Sequence, residues 1–166
     1  MLTQARLKEL LRYDPDTGNF TWLVRVGGIV TVGNRAGTAQ KGYIRIGLAS
    51  KGYQAHRLAY LYMTGAWPNA QIDHVNGVRS DNRWQNLREA THSENQCNVS
   101  AQANNAVGFK GVRKSTTGPN YQISVRKNHV VHEVCGFQTA EIANEFAVLM
   151  RETLHGKFAN HNRALA

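Results

Sequence analysis

Cysteine is almost missing from this chain: two in 166 residues, Cys97 and Cys135, neither in a Cys-x-x-Cys pair. That argues against a structural zinc site, and a reducing cytosol argues against a disulfide. Each is expected to be a small buried hydrophobe. No apolar run approaches the ~20 residues that span a bilayer, so no membrane partner is expected. The opening Met1-Leu2-Thr3-Gln4-Ala5-Arg6 lacks the apolar stretch of a signal peptide, and the expected location is cytoplasmic. Acids are scarce too, 11 against 20 Lys plus Arg, for a net charge of +9. That excess favours a polyanionic partner, since each phosphate neutralised releases counterions.

The charge is uneven. Residues 1–50 carry seven bases and three acids, residues 51–103 five and four, and residues 104–166 eight and four. The flanks read as grips. The middle mixes its acids with histidine and asparagine, the composition of a metal or catalytic site.

Local patterns divide the chain further. Residues 3–12 read as a short helix with Thr3 as cap. Asp14-Pro15-Asp16-Thr17-Gly18 is a turn signal, and Phe20 to Val24 suits a strand. Gly27-Gly28 and Gly33-Asn34 break the chain. Ile44, Ile46 and Leu48 alternate onto one strand face. Residues 55–63 look helical and stop at Thr64-Gly65. Ser100 to Ala106 is short, small and polar, as a linker is. Strands are expected at 109–114, 121–126 and 130–137. A helix should run from Ala140 to about His155, capped by Thr139 and ended by Gly156, with Ile142, Phe146, Leu149 and Met150 as its apolar stripe.

The chemistry-bearing stretch is Ile72-Asp73-His74-Val75-Asn76-Gly77, then Asp81 to Arg88, then Thr91-His92-Ser93-Glu94-Asn95. Asn76-Gly77 favours a tight turn, and Leu87 to Ala90 fits a short strand. Thr91-x-x-Glu94 is a capping box that starts a helix at His92. Strand, loop, strand and helix then bring a carboxylate, an imidazole and an amide oxygen into one small unit. Asp and Asn oxygens are hard ligands suited to Mg²⁺ or Mn²⁺. A neutral His takes a proton from water near working pH, and a bound metal stabilises the departing oxygen of a phosphodiester. The blander reading makes Asn86 a loop cap, Asn95 a solvated helix residue and His56 a packing residue of the scaffold. His92 competes with Asn95 for the third position but lies three residues early.

Asp73-His74, Asn86 and Asn95 resemble the HNH nuclease motif, in the variant common in phage and intron-encoded homing endonucleases. His56-Arg57-Leu58, Gly65-Ala66-Trp67-Pro68, Asp81-Asn82-Arg83 and Asn86-Leu87-Arg88-Glu89-Ala90-Thr91 are similar to that group as well. The resemblance implies His74 as general base, Asp73 and Asn95 as ligands of the divalent cation, and Asn86 as the residue that orients the His74 loop. Asn95 stands where many HNH proteins have His, which shifts the metal preference toward Mg²⁺ or Mn²⁺. Arg83 and Arg88 are candidates for phosphate contact, with solvated surface charge as the equal alternative.

Residues 108–160 resemble the plant ethylene-response-factor DNA-binding domain, through Gly108-Phe109-Lys110-Gly111-Val112-Arg113, Tyr121 to Arg126, Gly136 to Ala143 and Leu154-His155-Gly156. That family lays a three-stranded sheet in the major groove. The resemblance implies DNA contacts from Lys110, Arg113, Lys114, Tyr121 and Arg126, with Val112, Ile123 and Val125 turned to the helix. This sequence departs in having fewer arginines and no tryptophan on these strands, so the plant proteins' sequence preference does not carry over.

The expected fold is α+β: a ββα-metal nuclease core at 51–103, a strand-rich N-terminal segment at 1–50 packing on it, and a C-terminal three-stranded antiparallel sheet on one helix at 104–166. The expected activity is Mg²⁺- or Mn²⁺-dependent hydrolysis of double-stranded DNA by a monomer or homodimer, in the host cell if phage-encoded. The alternatives are a non-catalytic, sequence-specific DNA-binding regulator and an RNA-directed protein; the latter lacks an aromatic RNP-type strand pattern.

Overall fold

The computed structural model describes residues 1–27, 30–99 and 105–161. Gly28 of the Gly27-Gly28 break and residues 100–104 of the linker segment lie outside the described residues. The chain contains both helices and strands and divides into two compact units, Met1–Ala90 and Thr91–Ala166. No described helix is long and apolar enough to cross a membrane.

The first unit opens with α1 (Gln4–Leu10), where the Thr3 side chain accepts from the Arg6 N–H. The helix is shorter than the apolar spacing predicted, because Leu11 already belongs to β1 (Leu11–Tyr13) and is buried there. β1 pairs antiparallel with β2 (Phe20–Trp22). Between them, the Asp14 carboxylate accepts from the Asp16 backbone N–H at 3.0 Å, closing the expected turn. Three further strands, β3 (Thr38–Gln40), β4 (Tyr43–Leu48) and β5 (Lys51–Gln54), form an antiparallel sheet in that order. Ile46 and Leu48 of β4 are buried, as the alternation requires.

α2 (Ala55–Thr64) follows, closed by Gly65 in the left-handed region. Its buried face, including Leu58, Ala59 and Leu61, joins Leu7, Leu11, Phe20 and Ile46 in a single core. Residues 1–50 and α2 therefore share one hydrophobic centre. The unit ends in a hairpin of β6 (Gln71–His74) and β7 (Leu87–Ala90), whose register sets Asp73 opposite Arg88 and His74 opposite Leu87.

The second unit begins with α3 (His92–Cys97). Its capping box is formed: the Thr91 side chain accepts from the Glu94 N–H, and the Glu94 carboxylate accepts from the Thr91 N–H at 2.8 Å. An antiparallel sheet follows, ordered β10 (Val130–Phe137), β9 (Tyr121–Lys127), β8 (Val112–Lys114), with α4 (Ala140–His155) packed on it. Val112, Ile123 and Val125 are buried. Thr139 caps α4 by accepting from Ile142 N–H.

Two expectations are corrected. Of the expected stripe, Met150 packs partly buried against the second core, but Ile142, Phe146 and Leu149 are exposed, 42%, 53% and 59%, while Ala143, Ala147, Arg151 and His155 form the buried face of α4. Both stripes have helical spacing. Cys97 is buried as expected, but Cys135 on β10 is exposed.

Candidate active site

The hairpin of β6 and β7 carries the expected base and carboxylate. Asp73 and His74 are 4% and 5% exposed. Asp73 Oδ2 accepts from Arg88 Nε at 2.8 Å and lies 2.7 Å from Arg88 Nη2, a two-pronged contact that the register of the hairpin produces.

The His74 ring is packed edge-on against His56, with centroids 5.1 Å apart, and lies 6.1 Å from the Tyr43 ring. Its Nε2 is 3.4 Å from Asn82 Oδ1. Burial lowers the His74 pKa, while the Asn82 contact and the charges of Asp73 and Asp81 act against it. The imidazole is therefore neutral at neutral pH. His56 is pushed down further, to about 3, by burial and then by the neighbouring His74 and Arg57. Its Nδ1 is buried with no hydrogen-bond partner. Tyr43, also against His56, lies under the Arg79 guanidinium at 5.2 Å.

The loop from Val75 to Asn86 is tied by its own polar side chains. Asn86, 6% exposed, donates through Nδ2 to the Asp81 carbonyl at 2.8 Å and accepts from Asn76 N–H at 3.0 Å. Its backbone carbonyl accepts from Val75 N–H at 2.9 Å, so one residue joins both ends of the loop that follows His74. Asp81 holds Arg83 at 2.6 Å and accepts from Asn76 Nδ2 at 2.7 Å. The Arg83 hydrogen bonds come first among the causes that bring the Asp81 carboxyl down to about 2.

The N-terminal turn braces this loop. Tyr13 Oη donates to the Asn82 carbonyl at 2.6 Å, and Trp84 N–H donates to the Pro15 carbonyl at 2.9 Å. Gly18 has φ +73°, and a Cβ there would collide with the Asn82–Arg83 backbone. Sequence reasoning singled out Asp14 to Gly18 only as a turn and did not single out Asn82 as a neighbour of His74. Its signal was the Asp81-Asn82-Arg83 phrase.

Asn95 belongs to the second unit, where its N–H donates to the Thr91 carbonyl at 3.0 Å within α3. Among the described residues, no three His, Cys, Asp or Glu side chains gather as a metal site. The Asp73 carboxylate is a hard oxygen donor of the kind Mg²⁺ takes, since that ion uses one or two carboxylates and completes its shell with water and substrate phosphate.

The expected DNA contacts divide into two groups. Arg113, Lys114 and Arg126 are exposed, and Arg113 pairs with Glu133 across the sheet at 2.8 Å. Tyr121 packs partly buried against the Val112, Ile123, Ala143 and Ala147 cluster. Lys110 Nζ turns inward, donating to the Cys97 carbonyl at 2.8 Å. Arg83 and Arg88 are both held by carboxylates.

Residues 53–97 match the family model for HNH endonucleases. This segment is similar to HNH endonuclease domains. The matched segment contains Asp73, His74, Asn86 and Asn95. A relative described as an uncharacterised HNH endonuclease of Acanthamoeba polyphaga mimivirus is 38% identical over 112 residues, covering 66% of this chain. The chain spans 57% of that relative's length. No solved structure matches.

Proposed function

We propose that the protein is a metal-dependent endonuclease that hydrolyses phosphodiester bonds of double-stranded DNA. The observation that carries this reading is a buried His74, kept neutral and next to a carboxylate, inside the segment that matches the HNH family. If His74 Nε2–H donates to Asn82, Nδ1 is the basic nitrogen that takes the proton from water. Asn86 holds the loop so that the imidazole keeps this orientation. Asp73 would hold Mg²⁺ or Mn²⁺, which when bound stabilises charge on the phosphate and the departing oxygen. Arg113, Lys114 and Arg126 supply the exposed cations of a DNA grip, with Lys110 and Tyr121 behind them. A monomer with one such centre nicks; a double-strand break needs two copies or two visits.

The test is Mg²⁺-dependent plasmid cleavage by the wild type and by His74→Ala. The variant is expected to bind DNA and not cut it. Retained cutting would remove His74 from the chemistry.

The Asp73–Arg88 ion pair favours a second reading, a non-catalytic DNA-binding regulator, because a guanidinium already occupies one carboxylate oxygen of the expected metal ligand. Nanomolar DNA affinity without cleavage in Mg²⁺, Mn²⁺ or any other divalent ion would establish that reading instead.

A further inference from the structure

The second unit buries two basic side chains that the cleavage chemistry does not use. Arg151 is 1% exposed and His155 9% exposed. They are four positions apart on α4, hence on one face. The Arg151 Nη1 donates to the Lys110 carbonyl, and its Nε lies 3.4 Å from His161 Nδ1. Its Nη2 is buried with no hydrogen-bond partner. His155 is also half satisfied: Nε2 and the Arg126 carbonyl are 3.0 Å apart, and Nδ1 is buried without a partner. Among the described residues, no carboxylate pairs with Arg151.

Both side chains line a cleft of about 1190 Å³ within the second unit. Lys110, Arg113, Lys114 and Arg126 line it with them, and among the described residues of the lining there is no aspartate or glutamate. Gly111 permits the arrangement. It has φ +76°, and a Cβ there would come within 2.9 Å of the Ser124 carbonyl oxygen. Glycine thus lets the chain turn tightly where the Lys110 carbonyl meets the Arg151 guanidinium.

A buried cation with an unanswered N–H is unfavourable until an anion or a water meets it. Several cations around one concavity, with no acid among them, select an anion. A guanidinium held at two of its corners offers the third in fixed direction, which suits a tetrahedral oxyanion. His155 Nδ1 can accept a hydrogen bond from the P–O–H of free phosphate or a phosphomonoester; toward a strand diester, which has no P–O–H, it acts once protonated, donating to P–O⁻. Val107, Val112 and Val125 line the same cleft and offer apolar surface beside the charge.

We propose that this cleft is a phosphate-binding site, with Arg151 Nη2 as its central donor and His155 Nδ1 as its second partner, that takes the phosphate of a nucleic-acid strand or of a free nucleotide. It uses none of Asp73, His74, Asn86 or Asn95, so it stands or falls apart from the endonuclease reading.

The test uses the full chain at constant ionic strength, titrated with sodium phosphate and, in parallel, with sodium chloride. Phosphate is expected to raise Tm several degrees beyond chloride. It should also move the His155 imidazole signals in ¹H–¹⁵N spectra while leaving His132, which is outside the cleft lining, in place. Arg151→Met should abolish the phosphate-specific gain. Because that variant could fail to fold, His155→Gln serves as the second: it keeps the guanidinium and should weaken phosphate binding about tenfold. A labelled DNA duplex and a 5′-nucleotide separate the two sources. A strand phosphate predicts a duplex affinity about tenfold lower in His155→Gln and a log–log salt slope smaller by about one. A free nucleotide predicts unchanged duplex affinity and a nucleotide affinity that falls in the variant. No phosphate-specific Tm gain together with unmoved His155 signals overturns the proposal.

Discussion

The two units reach stability by different means. The first buries Leu, Ile and aromatic side chains around α1, β1, β2, β4 and α2, with Phe20, Leu7, Leu11 and Leu58 almost fully excluded from water. The second buries Val112, Ile123, Ala143 and Ala147, adds Arg151 and His155, and leaves Phe146 and Leu149 outside. A large apolar core can hold the loop that follows His74 in place. A small core with buried cations has less to spend on rigidity and more surface to offer a polyanion. The division suits the proposed roles, with the base positioned by the first unit and the phosphate grip placed in the second.

The sharpest way to break this comparison is to separate cutting from holding. His74→Ala should lower cleavage by about 10²–10⁴-fold, the range for loss of a general base, with gel-shift affinity unchanged. Arg126→Ala should do the reverse, weakening binding and reducing the salt slope by about one. If His74→Ala weakened binding as much as Arg126→Ala, the division of labour would be wrong.

Next in size is the contrast between cores. Leu58→Ala in the first unit should cost about 2–5 kcal/mol in urea denaturation. Leu149→Ala on the exposed face of α4 should stay within about 0.5 kcal/mol. Equal losses would mean that Leu149 is covered.

Gly18→Ala tests the brace between the N-terminal turn and the Asn82 loop. A non-glycine residue at φ +73° costs about 1–3 kcal/mol, and the collision with the Asn82–Arg83 backbone should also lower kcat. A stability loss with wild-type kcat would uncouple the turn from His74.

The last effect expected is a pH slope. His56 has a folded pKa of about 3, below its unfolded value near 6.5. Between those values the unfolded chain binds the extra proton. Stability is therefore complete above about pH 6.5 and falls as the pH drops toward 3, by at most about 1.4 kcal/mol per pH unit from this residue. His56→Phe should flatten that slope in denaturation curves taken between pH 7 and 5. An unchanged slope would place the titration elsewhere, with His74 and His155 depressed in the same direction by burial.

Much of the local structure was legible from residue order. Asp14 to Gly18 announced its turn, Thr91 and Glu94 their capping box, Thr139 its cap, and the alternation in β4 its buried face. These depend on atoms within a few residues of one another, where backbone chemistry decides the outcome. Asp73 and His74 were likewise singled out by type and spacing, and Asn86 by resemblance to the HNH motif. Their neighbours were not. Arg88 meets Asp73 through hairpin register, and Asn82 reaches His74 across a loop that a distant turn supports.

Residue order alone set the caps, the turns, the strand alternation, the basic excess and the cluster of Asp, His and Asn within one short stretch. Each of these follows from short-range sterics or from composition. Packing settled the rest: α4 turned its alanines and Arg151 inward and left Ile142, Phe146 and Leu149 outside, and Gly18 came against the loop that flanks His74. Such outcomes depend on which surfaces meet across dozens of residues, and a helical or strand period cannot distinguish between two faces of equal spacing.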